Sequence, residues 1–241
     1  MKQPKLELLS PAGSWEALEA AVRSGADAVY LGGSLFSARA NAQNFDHDTL
    51  KQAVAYCHAR GVKVHLAVNT ILLNHEIEPA LDFVAFACTL PVDAVIVQDT
   101  GLLHLLRQAA PTLQIHASTQ MSVHTPEGAK LLAEQGVSRV VLARELSLKE
   151  IKEMSRVLKD GGFAHVEIEH FVHGALCMSV SGQCYFSSLL GSRSGNRGQC
   201  AQTCRLPFSA KGGTGYDLSL KDLSMIERIG ELADAGVTSF K

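Results

Sequence analysis

The sequence predicts an α/β protein: a (β/α)8 barrel of the TIM type, with a Cys-rich insertion after strand 7 and a chain that breaks off at strand 8. Three observations predict it. Short apolar, β-rich runs alternate with amphipathic helical runs along the chain, giving seven βα-type units. The strand runs lack polar alternation, as strands covered on both faces do, so the sheet is expected to be parallel. A glycine at a helix end, followed within a few residues by a β-branched strand, recurs in SGADAVYL, RGVKVHL, QGVSRVVL and AGVTSFK. Seven units and a last strand beginning at Val237 fit a closed barrel better than the competing open, doubly wound sheet.

The elements follow in order. KLELLSPAG (5–13) is the first strand run, and in SWEALEAAVRSG the residues Trp15, Leu18, Ala21 and Val22 share a helical face that Ser14 can cap. DAVYLGG (27–33) precedes a loop and the helix HDTLKQAVAYCHARG. The unit repeats as VKVHLAVN (62–69) with EIEPALDFVAFACTL, DAVIVQD (93–99) with GLLHLLRQAA, and QIHASTQ (114–120) with TPEGAKLLAEQG. RVVLARE (139–145) with SLKEIKEMSRVL comes next, and HVEIEHFVHG (165–174) leads into the cysteines. The chain stops at Lys241, in the eighth strand, so residues 1–241 are expected to be one barrel domain forming the N-terminal part of a longer protein.

Composition limits the function classes. A chain of 241 residues with 46% hydrophobic and 19% charged residues can bury a substantial core. A formal charge of −2 leaves no globally basic surface, so a nucleic-acid partner needs a local patch. No apolar run approaches the roughly 20 residues of a membrane span, and MKQPKLELLS has no apolar signal region, so the cytoplasm is the expected compartment.

Four of the six cysteines, Cys177, Cys184, Cys200 and Cys204, fall in one Gly-, Ser- and Arg-rich segment (174–207) without clear period. Their C-x6-C-x15-C-x3-C spacing is looser than a zinc ribbon's, and all-thiolate sites with longer gaps also suit iron–sulfur clusters. Disulfides and free thiols are the bland readings, and the absence of a secretion signal argues against the first. Cys57 and Cys88 lie in apolar helical patterns and are read as buried free thiols.

In a barrel the chemistry sits at the C-terminal ends of the strands. Those ends offer acid–base candidates (Glu145, Glu169, His173), an anion holder (Arg144) and neutral partners (Asn69, Gln120). For each alone, capping or ion pairing is the commoner role. Gly32 and Gly33 follow the second strand without a phosphate-loop pattern, so a tight turn is expected there. His65 and His116 read as core or pocket-wall residues. Arg193, Arg197 and Arg205 make a local basic patch near the cysteines that could hold RNA phosphates, a carboxylate or a cluster's charge.

The run EHFVHGALCMSVSGQCYFS and the start ELLSPAGSWEALEAAVRSGADAVYLGG resemble the U32 family, long labelled collagenase-like peptidases. IVQDTGLLHLL, IHASTQMSV, VLARELSLKEI and RSGNRGQCAQTCRLPF look most like the branch that makes 5-hydroxycytidine in 23S ribosomal RNA. Other branches hydroxylate a tRNA uridine or act in oxygen-independent ubiquinone hydroxylation. The resemblance implies a barrel with a [4Fe–4S] cluster on family cysteines that match Cys177, Cys184, Cys200 and Cys204. Some members place the fourth ligand in a later K-D-L-C element, where this chain has Lys221-Asp222-Leu223-Ser224. It also implies prephenate as a co-substrate and RNA as partner.

Three functions are therefore expected to compete. The first is oxygen-independent hydroxylation of a nucleobase, foremost a 23S rRNA cytidine, with the base unstacked into a pocket, Arg193 and Arg197 tracking the backbone, and Glu145, Glu169 or His173 moving protons. The second is a cysteine peptidase, for which Cys177 with His173 is the nearby pair. The third is a zinc-stapled module that binds RNA or protein.

Overall fold

A computed structural model describes residues 5–38, 42–180, 183–210 and 212–241. The strands β1 (Glu7–Pro11), β2 (Ala28–Gly32), β3 (Lys63–Val68), β4 (Ala94–Val97), β5 (Ile115–Ala117), β6 (Arg139–Val141) and β7 (Glu167–His170) are joined by α1 (Trp15–Arg23), α2 (His47–His58), α3 (Ile77–Thr89), α4 (Thr100–Ala109), α5 (Pro126–Glu134) and α6 (Leu148–Asp160). After β7 the chain leaves the barrel as β8 (His173–Gly174), α7 (Phe186–Gly191), β9 (Phe208–Ala210), β10 (Gly213–Gly215) and β11 (Leu223–Ser224). It returns through α8 (Ile229–Asp234) to β12 (Ser239–Phe240). The barrel is closed, in the order β1-β12-β7-β6-β5-β4-β3-β2, every pair parallel. The open sheet is thereby excluded.

Local sequence explains most boundaries. Ser14, Asp46, Asp99, Thr125 and Ser147 each accept a backbone N–H at the start of a helix, and Ser147 with Glu150 forms a capping box. The recurrent helix-end glycine is left-handed, with φ of 88° at Gly25 and 83° at Gly136, where a side chain would be strained. Along β3 the period of two divides the barrel's two environments: Val64, Leu66 and Val68 pack outward in the main apolar core under the helices, while His65 and Ala67 point inward.

The inside of the barrel is polar at its base. Arg139 is 2% exposed, and its Nη1 donates to Glu7 Oε1 at 2.6 Å, to Glu169 Oε2 at 3.1 Å and to Ser239 Oγ at 3.1 Å. Its Nε donates to Glu167 at 2.8 Å. One guanidinium thus links β1, β6, β7 and β12 across the barrel. His65 and His116 stack edge to face beside it, their ring centroids 4.7 Å apart, in the pocket-wall position expected of them.

Some local expectations change. The run 165–174 is two strands, because Val172 binds Lys241 O through its N–H at 2.7 Å and accepts from Met225 N at 2.8 Å, which turns the chain off the barrel. Strand pairing at the closing strand covers Ser239 and Phe240, inside the run beginning at Val237. Gly32 and Gly33 serve close packing more than a turn: a Cβ on either would collide, with Ser37 at the first and with the tip of the Phe83 ring at the second. Cys57 is buried, but Cys88 is exposed on α3, since its helical position faces away from the strands. The segment expected to lack period contains α7.

Candidate functional site

The C-terminal ends of the strands open onto a cavity of about 330 Å³. Its floor and walls come from Tyr30 on β2, Ala67 and Asn69 at the end of β3, Ile96 on β4, Ser118, Thr119 and Gln120 after β5, and Arg144 after β6. Phe171 follows β7 and Lys241 follows β12. The cysteine segment closes the far side with Cys177, Cys184, Ser187, Gly195 and Cys200. This is the position at which barrels with otherwise different loops assemble reactive groups.

Three of the four clustered cysteines therefore face one space. Cys184 Sγ accepts from Phe186 N at 3.3 Å, and Cys200 Sγ from Gln202 N at 3.4 Å and Ser187 Oγ at 3.9 Å. Cys204 lies on the turn Thr203–Arg205, outside the cavity lining, with its thiol pushed up by burial against the opposing charge of Arg205. Arg205 holds that turn against the start of the segment: its Nη2 donates to Leu176 O and to Asp222 Oδ1, each at 3.3 Å. Among the described residues no three His, Cys, Asp or Glu side chains gather closely enough to grip a single ion. The donor set, four free thiols of which three line one cavity, is the soft-ligand chemistry that a thiolate-bound metal group requires.

The docking of this segment is specific. Asn196 donates through Nδ2 to Gln98 Oε1 at 3.0 Å, accepts Ile71 N at 3.2 Å on Oδ1, and its carbonyl accepts Gln120 Nε2 at 3.2 Å. Arg197 donates through Nη1 to Ile71 O at 2.8 Å and to Glu76 Oε2 at 2.9 Å, with its second fork on Glu76 Oε1. Arg197 is thus a staple between the segment and the loop after β3. Its guanidinium is occupied, so it is not an open phosphate contact. Arg205 is occupied as well, and Arg193 stays exposed, its described hydrogen bonds being made by its backbone.

Of the other expected site residues, Arg144, Gln120 and Asn69 line the cavity. Asn69 is held by Ala38 N on Oδ1 (3.0 Å) and donates to Ser118 Oγ (3.3 Å). Arg144 lies over the Phe171 ring, 4.0 Å from its centroid, and its one described hydrogen bond is a 3.4 Å contact to Ala175 O. Burial pushes the guanidinium down, with Cys177 its leading opposing neighbour. Arg144 Nε and Gln120 Oε1 are buried without hydrogen-bond partners among the described residues.

The three acid–base candidates do not line the cavity. Glu145 is exposed beside His124, 3.4 Å from its Nε2. His173 is exposed on β8, paired in register with Ser224, because the chain has already left the barrel there. Glu169 is fully buried inside the barrel; burial pushes its carboxyl up, but Lys241 at 2.9 Å and Arg139 bring it below the usual range. It acts as a fixed counter-ion.

Lys241 is the cavity residue the sequence reading passed over. Its Nζ sits 4.1 Å from the Tyr30 ring centroid and 5.2 Å from that of Phe171, locked by Glu169. The rule that found Arg144, a charged residue just past a barrel strand, would have found Lys241 too. Tyr30 and Phe171 carry no such polar signal.

The profile of peptidase family U32 matches residues 13–241. Among relatives, the 23S rRNA 5-hydroxycytidine C2501 synthase of Escherichia coli is 43% identical over 98% of this chain and 36% of its own length. The tRNA hydroxylation protein P1 of Bacillus subtilis is 34% identical over 98% of this chain and 58% of its own, and an uncharacterized protease of Methanocaldococcus jannaschii 40% identical over 98% and 60%. This chain therefore spans between about a third and three fifths of these relatives' length. A solved structure of a U32 peptidase superposes over 100% of this chain and 93% of its own, with a TM-score of 0.67 at 15% identity, a likeness of fold. Closed barrel, family profile and relatives agree that this chain belongs to peptidase family U32.

Proposed function

We propose that the protein takes part in iron–sulfur-dependent, oxygen-independent hydroxylation of a nucleobase in RNA, in the cytoplasm, with a 23S rRNA cytidine as the foremost target. The observation that carries this reading is the opening of Cys177, Cys184 and Cys200 onto the same cavity as two basic side chains, Arg144 and Lys241. The names of the rRNA- and tRNA-hydroxylating relatives support it.

In this reading Cys177, Cys184, Cys200 and the neighbouring Cys204 hold a [4Fe–4S] cluster, which supplies one-electron chemistry at the mouth. Arg144, lacking a carboxylate partner at hydrogen-bond distance, receives an anionic co-substrate, with Lys241, already paired with Glu169, as a neighbouring wall; prephenate, which the family resemblance implies, has the carboxylates for it. The amides of Asn69 and Gln120 offer neutral hydrogen bonds to a base edge. The cysteine segment, pinned by Asn196 and Arg197, forms one side of the cavity.

The peptidase reading gains nothing from this geometry, since no histidine is among the described residues lining the cavity onto which Cys177 opens. The test has two arms. Anaerobically purified protein is expected to be brown with about four irons, and Cys177→Ala to lose them. In a strain lacking the gene, 23S hydroxycytidine is expected to disappear and to return with the wild-type gene, but not with Cys177→Ala or Lys241→Met. Unchanged hydroxycytidine in the deletion strain would sink the rRNA assignment.

A further inference from the structure

Three backbone and side-chain groups donate to the cavity cysteines, and one of them is set by the choice of a side chain. Ser187, on α7, is 3% exposed, too deep for solvent to satisfy its hydroxyl. Its Oγ accepts the Ala201 N–H at 3.1 Å, which occupies a lone pair and leaves the hydroxyl hydrogen for Cys200 Sγ at 3.9 Å. The same sulfur accepts Gln202 N, and Cys184 Sγ accepts Phe186 N, but these are main-chain donors that any sequence would present. Among the described residues Ser187 is the only side chain donating to a cavity cysteine.

We infer that Ser187 is a positioning residue that raises the reduction potential of the thiolate-bound cluster through Cys200; this rests on the cluster reading given above. When one electron enters the cluster, the ligand sulfurs become more negative. A hydroxyl donating to one of them then stabilises the reduced form more than the oxidised form. No proton is transferred: Ser187 keeps its hydrogen and the contact tightens. Because Ser187 and Ala201 also tie α7 to the stretch bearing Cys200, the hydroxyl fixes that sulfur's direction toward the cavity.

The experiment is an anaerobic dithionite titration of the reconstituted chain, followed by visible absorbance and electron paramagnetic resonance, for wild type, Ser187→Ala, Ser187→Thr and Ser187→Cys. At a fixed potential near the wild-type midpoint, Ser187→Ala is expected to lower the reduced-to-oxidised ratio about threefold, about 30 mV by the one-electron relation. Ser187→Thr keeps the hydroxyl and should return close to wild type, while Ser187→Cys, a weaker donor of similar size, should fall between. Iron content and thermal melts accompany each titration. If Ser187→Ala fails to hold the cluster, the Thr and Cys variants still rank donor strength against potential. An intact cluster with a wild-type midpoint in both Ser187→Ala and Ser187→Cys, or equal shifts in Ala and Thr, overturns the inference. A wild-type protein that takes up no iron and sulfide under these conditions overturns instead the reading on which it rests.

Discussion

His65 and His116 are held neutral inside the barrel by their surroundings. Burial lowers His65 to about 4, with Arg139 and Lys241 adding to the shift and Glu7 and Glu169 opposing it; His116 is lowered in the same direction, again by burial first. A histidine with a depressed native pKa takes up its proton more readily when unfolded. Its contribution to stability is therefore present above the unfolded pKa of 6.5 and is lost as pH falls toward the folded value. For His65 the shift corresponds to about 3 kcal/mol. Urea melts should show stability falling between pH 6.5 and 4, and His65→Leu should flatten part of that slope. An identical slope in the variant would mean that His65 is not neutral in the fold. Glu7 gives a second, lower window: burial pushes its carboxyl up but Arg139 draws it down to about 2, so its contribution is lost as pH falls from 4.5 toward 2.

Among the elements, the cysteine segment depends for its place on a few side chains, because α7 and the two-stranded pieces β8–β11 and β9–β10 bury little. The Arg197–Glu76 fork, the Asn196 bonds and the Gln183 bonds to Gln120 O and Ser122 Oγ dock it on the barrel. Arg197→Met is expected to speed limited proteolysis within 177–204 several-fold while leaving the barrel's circular dichroism unchanged. Equal cleavage rates would show that the fork is dispensable. A helix-scale check is Ser147→Ala, which removes the capping box of α6 and should cost about 1 kcal/mol in a melt. These elements were unequally legible. The α1–α6 units announced themselves through caps, glycine ends and apolar faces, whereas α8, with its short run and polar start, did not stand out from the loop before it. The arginines of the segment were read as a basic patch because sequence gives their charge but not their partners. Glu76 lies 121 residues from Arg197.

For the whole molecule, closure of the barrel rests on a charge network at its base as well as on apolar packing. Arg139 binds carboxylates from β1 and β7 and the Ser239 hydroxyl of β12, so the closing strand is held from inside. Arg139→Met should destabilise the fold by about 3–5 kcal/mol, since Glu7 and Glu169 would remain buried without that cation. The companion variant Arg139→Met with Glu7→Gln should recover part of the loss in denaturant melts. No recovery would place the effect in packing instead. No helix among the described residues is long and apolar enough to cross a membrane.

By itself the sequence determined the barrel and the location of its mouth, because periodicity, capping and glycine ends are local properties repeated in each unit. It also singled out the four cysteines and placed Arg144, Gln120 and Asn69 at strand ends. Which of those groups share a space was decided by the tertiary structure alone. Closure brought Lys241 beside Glu169 and Tyr30, the departure of the chain at Val172 carried His173 away, and the Asn196–Arg197 docking set the segment bearing Ser187 and Cys200 along one side of the cavity. Such pairings join residues far apart in the chain, and their energies depend on burial and on distances of a few ångströms, which no local pattern encodes.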